Sequence, residues 1–139
     1  MIFSKPQESL IYAEKAYKIA RNLNNNKYLL DIYDNLIEAN VELYNLEIAE
    51  KYCREALQLA EKLKNEKEIA FYSDLMGTVK MKAEDYATSL SNFRKALEIE
   101  KKNGFERRMA STLNNIGAVN LKTGHMDKAL ANFLESLRI

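Results

Sequence analysis

The residues able to do chemistry are few, and their spacing argues against catalysis. His125 is the only histidine and Cys53 the only cysteine, so a Cys/His zinc cluster cannot be assembled. His125 occupies a turn position, where it reads as local polarity rather than as the base of a Ser-His-Asp triad. Cys53 stands 40 and 80 residues before Phe93 and Phe133, at a position that reads as a buried structural thiol rather than a nucleophile. Neither G-x-x-x-x-G-K nor G-x-G-x-x-G occurs, which removes the usual phosphate cradles. Carboxylates abound, but on charged helices they mostly form solvated faces or i,i+4 ion pairs. No catalytic, cofactor-binding or metal site is expected, and the chain does not read as an enzyme.

Two polar sets stand out for binding. Asp31, Asp34, Glu38 and Glu42 follow one another at steps of 3, 4 and 4, one face of a helix whose packing face carries Leu29, Tyr33, Leu36 and Asn40. Asp74 is the counterpart of Asp34 forty residues on. The stripe is either an ordinary solvated face or a surface that attracts a cationic ligand. Asn35, Asn114 and Asn115 form the second set; an amide both donates and accepts and can hold a peptide backbone without reading its sequence. Local hydrogen bonding is the competing account. Lys101, Lys102, Arg107 and Arg108 flank Asn103-Gly104. The lysines complement a helix C-terminus, whereas the arginines open the next helix against its dipole, which leaves a contact as their alternative role; as a group they read first as solvated surface.

These residues are positioned by helices. The 139 residues hold four glycines and one proline, too few turn-formers for a sandwich or barrel. Net charge is +1, from 21 basic and 20 acidic residues spread along the chain, so nothing favours nucleic acid. No run of apolar residues is long enough to span a membrane. The first residues lack the apolar core of a secretory leader, which bears only on the residues given; the compartment stays open, with the cytoplasm favoured.

The chain also repeats itself. The segments beginning at Tyr33, Ser73 and Leu113 align without gaps at a period of 40 residues. Ile37, Gly77 and Gly117 align, as do Ala49, Ser89 and Ala129, then Cys53, Phe93 and Phe133, then Ala56, Ala96 and Ser136. Each unit reads as two helices, with apolar residues at steps of 3 and 4. The pattern predicts helices over 6–24, 28–44, 46–64, 67–83, 86–102, 105–122 and 126–138. Gly77 and Gly117 lie in helix interiors, where glycine costs about 1 kcal/mol relative to alanine. That cost is explained if Phe93 and Phe133 press against the backbone there.

With L-N-N-I-G…G-H-M-D-K-A-L-A-N-F-L-E-S-L, M-G…D-Y-A-T-S-L-S-N-F-R-K-A-L-E-I and A-E-K-Y-C-R-E-A-L-Q-L, the sequence resembles the tetratricopeptide repeat family over nearly its whole length. It departs in its period, 40 rather than about 34, in lacking the closing proline, and in Ile37 and Cys53. Longer repeats of this kind resemble peptide-sensing and signalling arrays of bacterial regulators. The resemblance implies an all-α, right-handed superhelical solenoid of antiparallel helix pairs, a single repeat domain over 1–139 with a half repeat at 6–24 and repeats at 28–64, 67–102 and 105–138. It implies that the first helix of each pair lines a concave groove. Asp31, Asp34, Glu38, Glu42, Phe71, Asp74, Met81, Asn114 and Leu121 are the residues expected there. The function implied is a protein- or peptide-binding scaffold, part of a bacterial regulatory or signalling protein. A ligand-sensing segment of a receptor or transcription regulator is the alternative, and an enzyme accessory domain the second. Leu134, Leu137 and Ile139 lack a covering helix in the sequence, and an array ordinarily solvates its ends. This predicts either a longer parent array or end-to-end self-association.

Overall fold

The computed structural model describes Ile2 and residues 4–139. Among them the chain forms seven α-helices: α1 Lys5–Asn22, α2 Asn26–Glu42, α3 Leu46–Lys62, α4 Glu66–Lys82, α5 Tyr86–Asn103, α6 Glu106–Lys122 and α7 Met126–Leu137. Each lies within two residues of its expected bounds. The Ser4 hydroxyl accepts from the Gln7 amide while the Gln7 side chain accepts from the Ser4 amide, a reciprocal capping box ahead of Pro6. Asn25, Asn65 and Asp85 cap α2, α4 and α5 with their side chains.

The turns share one construction. Asn24, Tyr44, Lys64, Glu84, Gly104 and Gly124, spaced 20 apart, all adopt left-handed backbone. At 44, 84, 104 and 124 the amide of that residue bonds the carbonyl three back, and the next amide bonds the carbonyl five back, as in Asp85 to Lys80 at 2.9 Å. This pairing satisfies two orphan carbonyls at the helix end. The next residue is already the N-cap of the following helix, so each reversal needs very little chain.

Two compact units result, Met1–Leu63 and Lys64–Ile139. In the first, Tyr17 of α1, Tyr33 of α2 and Tyr52 of α3 meet with ring centroids 5.5–6.3 Å apart. Tyr17 also donates to Glu55 at 3.1 Å and accepts from Arg21 at 2.9 Å. Leu36, Ile37, Ala49, Cys53 and Ala56 are fully buried around this cluster. In the second unit Phe93 packs with Ile116 and Val119, and its ring lies against Gly77 as the Phe133 ring does against Gly117. Buried Ser89 replaces the alanine of its counterparts at no polar cost, since its hydroxyl donates to the Gly77 carbonyl at 2.7 Å. Ser136 likewise donates to the Ala110 carbonyl at 2.9 Å and ties α7 to α6. Leu130, Leu134 and Leu137 remain exposed on α7.

Candidate partner-binding site

In the first unit the acidic stripe of α2 is divided among different neighbours. Asp31 is exposed, and Asn35 donates to its carbonyl at 3.3 Å, the local hydrogen bonding available to a helical amide. Asp34 is half-buried toward α3: burial, then the Glu50 charge, push the Cys53 thiol up to about 12, and the Asp34 carboxylate adds to the rise. Glu38 and Glu42 are exposed and, with Asn35, wall an open pocket of about 270 Å³ against Lys5, Pro6 and Ser9 of α1.

In the second unit Asp74, Phe71 and the first half of α6 form one cluster. Asp74 Oδ1 accepts from Thr112 Oγ1 at 3.2 Å and from Asn115 Nδ2 at 3.3 Å, joining the leading helices α4 and α6 side by side. The Arg108 guanidinium sits 5.1 Å from the centroid of the Phe71 ring, a cation–π contact. Beneath them Thr112 Oγ1 also lies 3.0 Å from Glu100 Oε1. Phe71, Asp74, Glu100, Arg108, Ser111 and Thr112 line an open pocket of about 200 Å³. Asn114 and Leu121 are exposed on α6, away from the bonds that hold Asp74. Met81 is partly buried and packs against the Phe93–Ile116–Val119 cluster. Ten residues of helix turn Met81 about 80° away from Phe71, which sets it at the edge of that cluster.

The electrostatics of this cluster follow from burial. Glu100 is 1% exposed; burial raises its carboxyl to about 7, with the Thr112 bond and Arg108 opposing and Asp74 adding to the rise. Asp74 is raised as well, burial outweighing the bonds from Asn115 and Thr112 and the Arg108 charge. Thr112 carries one hydroxyl proton and has carboxylate oxygens on two sides, so both contacts are hydrogen bonds only if one acid keeps its proton. Thr112 Oγ1 is placed to donate to Glu100 Oε1 or to Asp74 Oδ1, and Glu100, the less exposed acid with its carboxyl raised to about 7, is the one that holds a proton more readily.

Glu100, Thr112 and Arg108 gave little warning of this in the sequence. Glu100 stands in a charged run with Lys101 and Lys102, and Arg108 belongs to the basic cluster read first as solvated surface, with a contact as the alternative. Lys102 does pair outward, with Glu66 at 2.8 Å, while Arg108 turns to Phe71. The repeat register carries the missed signal: Ala20 and Ala60, the counterparts of Glu100, are buried alanines. Among the described residues no group of three or more His, Cys, Asp or Glu is placed to hold a metal ion, and no helix is long and apolar enough to cross a membrane.

The repeated helix pairs, with a glycine of one helix under a phenylalanine of the next, define an all-α repeat protein of the protein-interaction kind. The tetratricopeptide repeat family profile matches residues 67–139, α4 through α7, and the chain belongs to that family. No curated protein matches it in sequence. Solved structures share the fold: BtubC (BKLC) from P. vanneervenii at 19% identity and TM-score 0.82, over 98% of this chain and 57% of that one. The apo form of RapI is similar at 20% identity and TM-score 0.87, over 95% and 48%. MamA is similar at 19% identity and TM-score 0.60, over 96% and 77%. The chain thus spans about half the length of BtubC and RapI.

Proposed function

We propose that this chain is a peptide- or protein-binding scaffold within a bacterial regulatory or signalling protein, and that the α4–α6 face of its second unit takes the partner. The observation that carries this reading is the joining of the two leading helices through Asp74, Thr112 and Asn115. It sets a half-buried aromatic, Phe71, beside hydrogen-bonding groups, with Asn114 exposed next to Asn115 and Leu121 exposed farther along α6. Apolar anchors of this kind supply most of the affinity at such surfaces, while charged groups orient the ligand and speed its arrival. In the first unit Asp31, Glu38 and Glu42 add negative charge on α2, which favours segments carrying Lys or Arg. That contribution weakens with salt, because exposed charges are screened over about 8 Å at physiological ionic strength.

The test is a peptide-display selection on the full chain, repeated with Phe71→Ala and with an Asp31/Asp34/Glu38→Ser triple variant. Phe71→Ala is expected to weaken the selected peptides on the order of tenfold or more, as removal of an aromatic anchor does. The triple variant is expected to shift selection away from Lys and Arg and to flatten the salt dependence. Selection of the same peptides, with the same affinities, by all three proteins would exclude both faces as the binding surface.

A further inference from the structure

Glu100 is a buried polar group whose placement packing does not explain. The two preceding units bury alanine at its position, Ala20 and Ala60, so the fold itself does not call for a carboxyl there. A buried carboxyl is costly unless its oxygens are hydrogen-bonded. Glu100 Oε1 meets Thr112, but Glu100 Oε2 is buried without a partner. The residue walls the pocket of about 200 Å³ that Asp74 and Thr112 also line. Ser73 Oγ and Glu55 Oε2 are likewise buried without a partner, but neither residue lines this pocket. Arg108 stands at this pocket, yet its guanidinium lies over the Phe71 ring, leaving Oε2 to other donors.

We propose that this pocket is a subsite for a primary ammonium group, the amino terminus or a lysine side chain of a bound peptide, received between the Glu100 and Asp74 carboxyls. The proposal rests on the reading of the chain as a peptide-binding scaffold. The donor count identifies the ligand class. The two carboxyls share Thr112 O–H and Asn115 N–H as the donors in contact with them, and they face one cation, Arg108, so the site is short of donors and one positive charge short of balancing two ionised acids. An ammonium brings three N–H donors and one charge in a compact group. A guanidinium fits less well: its planar fork seeks both oxygens of one carboxylate, and Glu100 has one oxygen committed to Thr112. A volume of about 200 Å³ admits an aminoalkyl group but falls below the roughly 300–1,000 Å³ of pockets that enclose whole small-molecule ligands. The phenyl ring of Phe71 supplies an apolar wall for the methylenes.

The charges facing Glu100 are Asp74 from α4 and Arg108 from α6. An arriving ammonium favours the ionised form of Glu100, so binding releases the proton that Glu100 holds. Affinity therefore rises with pH as Glu100 ionises, through about 7.

The experiment follows the Asn115 side-chain amide and the Glu100 carboxyl carbon of the full chain by NMR, titrating n-butylamine as the lysine probe and glycinamide as the amino-terminal probe. Tetramethylammonium serves as a cation without N–H donors. Saturable shifts with either amine, absent with tetramethylammonium and weakened on the order of tenfold in Glu100→Gln, are expected. Butylamine alone assigns a lysine side chain, glycinamide alone an amino terminus, and both a general ammonium site. Equal shifts with tetramethylammonium, or no saturable shift in a folded protein, overturn the proposal. Asp74→Asn supplies a second variant should Glu100→Gln disturb the fold. The two readings separate cleanly: amines that bind while no peptide is selected leave the subsite standing and sink the scaffold reading. Display-selected peptides that bind Glu100→Gln and wild type equally, at a pH above 7, leave the scaffold reading and sink the subsite.

Discussion

The Phe93 ring lies 2.6 Å from the point where a Cβ on residue 77 would stand. Phe93 is fully buried, so its ring cannot withdraw into solvent, and Gly77 is the residue that lets α4 and α5 approach this closely. Gly77→Ala should gain about 1 kcal/mol of helix propensity and lose more to overpacking, typically about 1–3 kcal/mol. A lower melting temperature is expected despite the better helix former. Phe93→Ala should cost about 3–5 kcal/mol. A Gly77→Ala/Phe93→Leu double variant should recover part of the first loss, since the two changes share one contact. Thermal denaturation of the four proteins measures all three terms.

The first unit solves the same packing problem with the sizes exchanged. Ile37 stands where Gly77 does, and Cys53 where Phe93 does, and both are fully buried. Cys53→Phe alone should overpack the unit, and Ile37→Gly alone should leave a cavity. The double variant should be more stable than the sum of the single losses predicts, a coupling that chemical denaturation reads as a double-mutant cycle.

Burial also decides the reactivity of Cys53. The thiolate is the reactive form, and burial followed by the Glu50 charge push this thiol up to about 12. At pH 8 the native protein should therefore resist 5,5′-dithiobis(2-nitrobenzoate), and labelling should proceed only as the first unit opens. Its rate should rise with low urea in parallel with amide exchange in α3. Immediate stoichiometric labelling of folded protein would contradict the buried placement.

The left-handed turn residues offer a stabilising change. Gly104 and Gly124 hold this conformation without strain, whereas Glu84, exposed in the α4–α5 turn, holds it with φ 62°. Relief of that strain offsets the extra freedom that glycine gives the unfolded chain. Glu84→Gly should raise stability by about 0.5–1 kcal/mol, seen as a higher urea midpoint with an unchanged slope.

The fold was legible because its determinants repeat. Gly77 with Phe93 and Gly117 with Phe133 announce the helix pairing at one spacing, and periodicity locates each helix. The ends shifted by up to two residues because Tyr44, Lys64 and Glu84 carry none of the glycine signature of a left-handed cap. The candidate site was harder to read because its residues break the repeat. Phe71 and Asp74 came from the face expected to be open, but Glu100 and Thr112 face inward between helices. Helical periodicity assigns an angle to a glutamate; it does not say that two neighbouring helices close over it. Only comparison with Ala20 and Ala60 singles out Glu100.

Glu100 should leave its mark on stability as a function of pH. Burial lifts its carboxyl to about 7 in the folded chain, against about 4.3 for an unfolded glutamate. Between those values the native state holds a proton that the unfolded state has released, so stability falls as pH rises. The contribution is fully present below about pH 4 and is lost as pH climbs through about 7. Asp74, also raised, acts in the same direction, and the Arg108 charge moderates both. Glu100→Gln replaces the protonated acid with a neutral amide whose N–H can still donate to Thr112. Near pH 5 the variant and the wild type should have similar stability, and at pH 8 the variant should be the more stable by about 1–3 kcal/mol. Urea denaturation of both proteins at the two pH values, followed by circular dichroism, measures the difference. A gap independent of pH would mean that Glu100 ionises freely in the folded protein, and the proton placed on its carboxyl would have to be abandoned.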